Sequence, residues 1–574
     1  MANSKLNWKI GGKAGYGIMV TGLIFSKVFS RSGYHVFDTV EYPSLIRGGH
    51  NFYDVRVEDE EVHSHTGTAD ILVALNKETA DLHKNNVSES GAIIFDSIDT
   101  KISSGEIRKG IMLYDVPLLE ISKKICGKDM MRNTVSLGAS LAIIDYDFDV
   151  LAGVLADIFG DKGKEIVEQN ISSAKAGYDY VKEKYKAPFK IRMKKMSNER
   201  KMLVTGNEAI SIAAIKAGCK FYSAYPMTPA SSILHYMAAH DRKIVVKQTE
   251  DEIAAIHAAI GASFVGARSM TATSGGGFCL MTEGLGLAAM TETPLVLVLA
   301  QRAGPSTGLA TRTEQADLKF AMNASQGEFP RVIITPGDVE ECFYLTLKAF
   351  NLADKYQVPV IIMTDKHLSE SHKTAERFDT DYTVERSVIL NDKDVKDDYK
   401  RFEDTKTGVS PRTLPGRKGI FRAPSYEHDE HGWNIEEPED RMVMADKRLR
   451  KAKSIMNEIP APKLYGKKDA DITIVGWGGT KGPIMEAMKL LKKDKLNVNF
   501  VHFSFILPFK AEAVTKMLKG ARKAIIVEQN RTLQLAGVIR ENTGIEFGHS
   551  FSKYDGREML PSEIYANVKK VLNG

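Results

Sequence analysis

At 574 residues the chain is too long for a single hydrophobic core, and a typical domain size divides it into about three to five domains. Hydrophobic residues make up 43% and charged residues 26%, a globular balance that excludes disorder as the default. A net charge of only +5, with acids interleaved among the lysines, excludes a strongly basic chain and leaves nucleic acid with no need to be invoked.

In chain order, Met1 to Lys13 carries no basic-then-apolar secretory pattern. From Lys5 to about Lys184, short β-rich runs alternate with helical ones: a strand over Asn7 to Ile10, a Gly-rich turn, a helix near Val20 to Ser32, then a strand over Tyr34 to Asp38. The expected domain spans 1–186. A polar, basic stretch at 187–201, with Lys190, Arg192, Lys194 and Lys195, reads as a solvated linker.

A second alternating region follows and defines an expected domain at 202–374. It predicts helices over Glu208 to Ala217, from Ala230 and from Glu250, with strands at Lys220 to Ala224, Arg268 to Thr273, Leu295 to Ala300, Val332 to Ile334 and Val358 to Met363. This is the pattern of a doubly wound α/β domain. Its most apolar stretch, Leu285 to Ala300, is interrupted by Glu292 and Pro294, so no membrane span is expected and the protein reads as cytoplasmic.

Residues 375–463 form an extended connection ending in an Arg/Lys-rich helix near Arg441 to Met456. Its Lys447, Arg448, Arg450, Lys451 and Lys453 read as a solvated face. A third alternating domain, 464–574, has strands at Ile472 to Gly476, Val498 to Phe503 and Ala524 to Glu528. The cysteines Cys126, Cys219, Cys279 and Cys342 contain no Cys-x-x-Cys pair, which argues against disulfides, structural zinc and a cluster held by this chain alone. Any iron–sulfur centre must then come from a partner.

Three segments end at the carboxyl edge of predicted strands, where open α/β sheets bind ligands: Tyr225-Pro226-Met227-Thr228-Pro229, Ser274-Gly275-Gly276-Gly277, and Arg302. Beside them, Thr249-Glu250-Asp251-Glu252 opens a helix with an apolar stripe of Ile253, Ile256, Ile260 and Phe264. On local pattern alone, Thr249 as N-cap with Glu252 at N3 reads as a capping box. The functional alternative turns one carboxylate into an apolar cleft to hold a ring nitrogen. Glu427-His428-Asp429-Glu430-His431 fits no common zinc spacing and reads as a solvated or interface loop. The Gly11 to Gly17 and Gly476 to Gly479 turns do not complete a dinucleotide fingerprint.

The runs Gly206-Asn207-Glu208-Ala209, Tyr225 to Ser231, Thr249 to Glu252, Ser274 to Gly277 and Gln301-Arg302-Ala303-Gly304-Pro305-Ser306-Thr307-Gly308 together resemble the α subunit of 2-oxoacid:ferredoxin oxidoreductases. Gly11 to Gly17 and Pro43-Ser44-Leu45-Ile46-Arg47-Gly48-Gly49 resemble the family's γ unit, fused in front. Ala310 and Ala316 depart from the pattern, standing where proline and glycine are expected.

The resemblance implies a multidomain α/β chain: a γ-type domain, a pyrimidine-type thiamine-diphosphate domain and a transketolase-C-like domain. It implies oxidative decarboxylation of a 2-oxoacid, 2-oxoglutarate favoured, with coenzyme A as acyl acceptor and ferredoxin as electron acceptor. Glu252, with Glu250 in reserve, would take the cofactor's pyrimidine N1′. Tyr225, Pro226, Ser274, Gly275 and Gly276 would line the cofactor, Thr228 and Arg302 would bind substrate, and Arg47 would meet coenzyme A. No Gly-Asp-Gly and Asn diphosphate pattern is present, so an obligate β subunit would carry Mg2+, the diphosphate and a [4Fe–4S] centre, in a dimer of heterodimers. A nicotinamide-linked dehydrogenase and a non-catalytic structural subunit remain the alternatives.

Overall fold

The computed structural model describes residues 4–44, 48–127, 130–187 and 189–573, which fall into two compact units. The first comprises most of 1–204 together with Ser371–Arg377 and Leu560–Ser562. Its core sheet pairs Lys5–Lys13 antiparallel with His50–Glu58 and parallel with Ala69–Ala74, so the sheet is mixed. The eight strands also take in Met202–Thr205 and His372–Ala375 at one edge, segments that the sequence assigns to the second region. Both are too short to announce themselves by alternation; Lys373 pairs opposite Phe37, and Met202–Thr205 lies beyond His372–Ala375 in the strand order. Trp8 stacks on Phe25 in the core, and Phe189 and Met193 bring the linker stretch into the same packing.

The second unit contains a seven-stranded and a five-stranded sheet. The larger runs Phe505–Leu507, Val332–Ile334, Pro359–Asp365, Leu295–Gln301, Arg268–Thr273, Cys219–Ala224, Val245–Gln248, parallel except for its first strand. Its central strands are buried on both faces, which is why Leu295–Gln301 and Pro359–Asp365 read as continuous apolar runs. After Cys219–Ala224 the chain moves outward to Val245–Gln248. After Arg268–Thr273 it moves the other way, so the topological switch point lies between these two neighbours.

The five-stranded sheet orders Lys463–Tyr465, Val498–Phe503, Ile472–Trp477, Ala524–Glu528, His549–Ser552. One apolar core runs through both sheets, with Ile256, Leu285 and Leu297 in the same cluster as Trp477, Val501 and Ile526.

Residues 378–462 pack within this unit, and here the solvated-face expectation fails. In the helix Pro438–Glu458, Lys447, Arg448 and Lys451 are buried. Glu292, itself fully buried, accepts Lys447 and Lys451 at 2.5 Å each, while Arg401 donates to its backbone carbonyl. Asp354 likewise takes Arg268 at 3.0 Å and Arg386 at 2.8 Å. A hydropathy pattern cannot reveal a buried lysine, because its partner lies 155 residues away. Among the described residues no helix is long and apolar enough to cross a membrane.

Candidate functional site

The switch point gathers three loops at the carboxyl edge. The helix Gly206–Lys216 begins with a capping box between Thr205 and Glu208, and its buried Asn207 donates to Pro229 O at 2.8 Å and Ser232 Oγ at 2.7 Å. Asn207 thereby fixes the Tyr225–Pro229 loop, on which Tyr225 and Pro226 are exposed and Thr228 is half-buried.

Glu252 is the first residue of the helix Glu252–Phe264, and the N-cap is Asp251, whose carboxylate accepts from Ala254 N at 2.7 Å. The capping box expected from Thr249 is absent: the Thr249 hydroxyl donates to Asp251 O at 2.8 Å. The cap is displaced because aspartate two residues on competes for the same role and wins. Glu252 is thus released from capping. Its side chain is turned inward, 3% exposed, and Oε1 has no hydrogen-bond partner. Burial raises its carboxyl above the usual range, and the Asp251 charge adds to this. Glu250, the reserve, is exposed to solvent. The apolar stripe is also narrower than expected, since Ile253 faces solvent.

The helix Gly275–Met290 starts directly beside Glu252. A Cβ at Gly277 would stand 2.6 Å from Glu252 Oε1 and 2.1 Å from Thr273 Oγ1, so only glycine admits the carboxyl group. Ser274 precedes the helix without capping it, and its Oγ is buried and unpartnered. Gly276 lies beneath the exposed Gly304–Gly308 loop, 3.9 Å from Ser306 O by the same construction.

Arg302 follows the strand Leu295–Gln301 and donates through Nη1 to Thr228 O at 2.8 Å, while its Nε has no partner. Burial lowers its pKa, and no carboxylate among the described residues neutralises it. The site therefore offers a guanidinium with a free edge, a buried unpartnered carboxyl group and an uncapped helix start. Chemically, such a set can receive an anion and, beside it, share a proton with a nitrogen base.

Tyr225, Thr228, Glu252, Ser274, Gly275, Gly276 and Arg302 are brought to this one edge. Arg47 lies outside the described residues. In Glu427 to His431 each side chain has its own role: Arg448 holds Glu427, Lys400 holds Glu430, Asp398 holds His431, His428 packs on Phe402, and Asp429 accepts from the backbone N–H groups of His431 and Trp433. Among the described residues no metal-ligating cluster occurs.

Asn207 and Gly277 lie in segments that the sequence singles out but receive no role of their own there, and Asp317 is not named as a site residue. The third glycine of Ser-Gly-Gly-Gly was the available signal for Gly277. Asp317 places its carboxyl group against Gly275, 2.7 Å from where a Cβ would stand. Burial pushes that carboxyl up to about 6. Glu314 is also raised, by burial and by Asp317, against a hydrogen bond from Gly304 N–H.

Three family models match the chain. Residues 212–447 match the pyruvate flavodoxin/ferredoxin oxidoreductase thiamine-diphosphate-binding model, 7–180 the pyruvate ferredoxin/flavodoxin oxidoreductase model, and 464–537 the transketolase C-terminal domain. The chain is 32% identical to a 2-oxoacid:ferredoxin oxidoreductase subunit alpha from Saccharolobus solfataricus, covering 99% of this chain and 98% of that one. It is 28% identical to the 2-oxoglutarate oxidoreductase subunit KorA of Mycobacterium tuberculosis, over 99% and 91%. The solved 2-oxoglutarate:ferredoxin oxidoreductase from Magnetococcus marinus, with 2-oxoglutarate, coenzyme A and succinyl-CoA bound, superposes with a TM-score of 0.92 at 32% identity, covering 99% of both chains.

Proposed function

The chain belongs to the 2-oxoacid:ferredoxin oxidoreductases, as an alpha subunit, and from that premise we propose that its switch-point cleft holds the pyrimidine end of thiamine diphosphate. The observation that carries the reading is Glu252: a buried carboxyl group with an unpartnered Oε1, in space that Gly277 alone leaves open. A group raised by burial and lacking a protein partner suits a ring nitrogen that shares its proton. When bound, thiamine diphosphate supplies the carbon nucleophile that no protein side chain provides.

The residues of this chain have separable tasks. Glu252 holds or accepts a proton at the ring nitrogen. Tyr225, Pro226 and the Ser274–Gly276 helix start line the ring. Arg302, fixed at Nη1 by Thr228 O, presents its free Nε edge to the carboxylate of a 2-oxoacid, and the Thr228 hydroxyl donates beside it. Family membership sets aside the nicotinamide and purely structural alternatives.

The finer reading is oxidative decarboxylation of 2-oxoglutarate to an acyl-coenzyme A. The Mycobacterium relative's name and the ligands of the Magnetococcus structure support this reading. Mg2+, the diphosphate grip and the [4Fe–4S] centre are assigned to a β subunit, with ferredoxin as electron acceptor. Domain limits at 186, 201, 374 and 463 and a cytoplasmic dimer of heterodimers belong to the same proposal.

The test is reconstitution with the β partner and comparison of Glu252→Gln with Glu250→Gln. Loss of turnover is expected only in the first, and wild-type turnover in Glu252→Gln would overturn the assignment. Assaying 2-oxoglutarate, pyruvate and branched-chain 2-oxoacids, with and without coenzyme A, decides the substrate.

A further inference from the structure

The arm Thr311–Asp317 joins the Arg302 loop to the short helix Leu318–Asn323, and its side chains alternate in direction. Thr313 and Gln315 turn toward the five-stranded sheet and the end of the strand Pro359–Asp365. Gln315 N donates to Gln529 O at 2.8 Å. Its side-chain amide donates to Asp365 Oδ2 at 3.2 Å and Trp477 O at 3.3 Å. Gln315 O accepts from Asn530 Nδ2 at 3.2 Å, Ala316 O accepts from Gln534 Nε2 at 2.6 Å, and Thr313 N donates to Gly556 O at 3.2 Å.

Glu314 and Asp317 face the other way, toward Gly304 and Gly275. Asp317 N donates to Gln301 Oε1 at 3.0 Å, yet its carboxyl group has no hydrogen-bond partner among the described residues. Two glycines in one helical turn thus each admit a carboxyl group: Gly277 admits Glu252 and Gly275 admits Asp317, on opposite faces of the helix start.

We propose that Gln315 is a positioning residue of the site: gripped from the five-stranded sheet, it carries Asp317 onto the first turn of the Gly275 helix. That sheet then sets the charge at the helix start without placing a group of its own in the cleft. A carboxylate against the positive end of a helix lowers the local potential felt by groups on the same face of its first turns. One such group is Cys279, one turn along from Gly275 and exposed, whose thiol pKa is raised by burial and by Asp317. The titratable groups facing Asp317 are Glu314 on its own arm and Cys279 on the Gly275 helix. Glu252 lies across the helix.

This inference rests on the proposed function for its catalytic meaning but not for its test. The full-length chain is alkylated with iodoacetamide between pH 7 and 10, and the Cys279 peptide is quantified by mass spectrometry. Asp317→Asn is expected to speed alkylation at pH 8 about two- to threefold, the effect of removing one screened negative charge several ångströms away. Gln315→Leu is expected to shift alkylation in the same direction, because it removes the side-chain bonds to Asp365 and Trp477 while the backbone bonds of the arm remain, and the double variant is expected to show no further gain over Asp317→Asn. Continued protection of the buried Cys219 and Cys342 reports that each variant is folded.

An Asp317→Asn profile equal to wild type, or a Gln315→Leu profile equal to wild type beside a shifted Asp317→Asn, overturns the proposal. In the reconstituted enzyme, both variants should lower kcat/KM and move the acid limb of the pH profile in the same direction. A chain inactive with every 2-oxoacid but showing both alkylation shifts supports the arm and counts against the proposed function.

Discussion

Replacing Glu252 by glutamine is expected to stabilise the free chain while abolishing turnover. The carboxyl group is 3% exposed and Oε1 has no partner, so ionising it in the folded protein costs about 1–3 kcal/mol of uncompensated desolvation, and a neutral amide, though still unpaired, does not carry that charge. Glutamine keeps the shape and removes the charge. The pH dependence has a definite sign. Glu252 is raised in the folded state, so its contribution is fully present below the ordinary carboxyl range and is lost as pH rises through the raised value. The gain from Glu252→Gln should therefore be largest at pH 7–8 and shrink toward pH 4. Urea unfolding of the isolated chain, followed by far-ultraviolet circular dichroism, measures this at each pH. A variant equally stable or weaker at pH 8 would refute the reasoning, because it would mean that a protein group already satisfies the carboxylate.

Gly277→Ala forces a Cβ into Thr273 Oγ1 and Glu252, and thermal unfolding should register a loss of about 1–3 kcal/mol along with lost cofactor-dependent activity. Arg302→Lys removes the planar fork, and steady-state kinetics should show KM for the 2-oxoacid raised at least about tenfold, with the Nη1 contact to Thr228 lost. Glu292→Gln leaves Lys447, Lys451 and Arg401 with uncompensated buried charge, and denaturant titration should show a loss of about 3–5 kcal/mol.

The strands of the seven-stranded sheet were legible because they are buried on both faces: the sequence limits Arg268 to Thr273 and Val332 to Ile334 coincide with the structure. Val245–Gln248, an edge strand of mixed polarity, left no apolar run to read. The antiparallel strand His50–Glu58 was equally silent, since a mixed sheet and a βαβ unit present similar apolar segments. At the site, motif order drew attention to Glu252, Arg302 and the Ser274–Gly276 start, and the structure brings them to one edge. Local pattern failed at Thr249 because two residues competed to cap one helix, and spacing alone cannot rank Thr249 against Asp251. Asp317 was invisible for a different reason. Its position follows from contacts with residues more than 200 positions away, such as Gln534.

The ion cluster around Glu292 also orders events during synthesis. Lys447 is added 155 residues after Glu292, which at about 5–20 residues per second means roughly 8–30 s of elongation. For the first 109 residues of that interval a carboxylate destined for full burial has none of its cationic side-chain partners, and until Lys447 arrives it has Arg401 alone. The seven-stranded sheet cannot close around it without leaving the charge stranded. The nascent chain must then hold that end of the sheet open to water, and chaperone dependence should be concentrated in chains that have passed Glu292 but not yet reached Lys451.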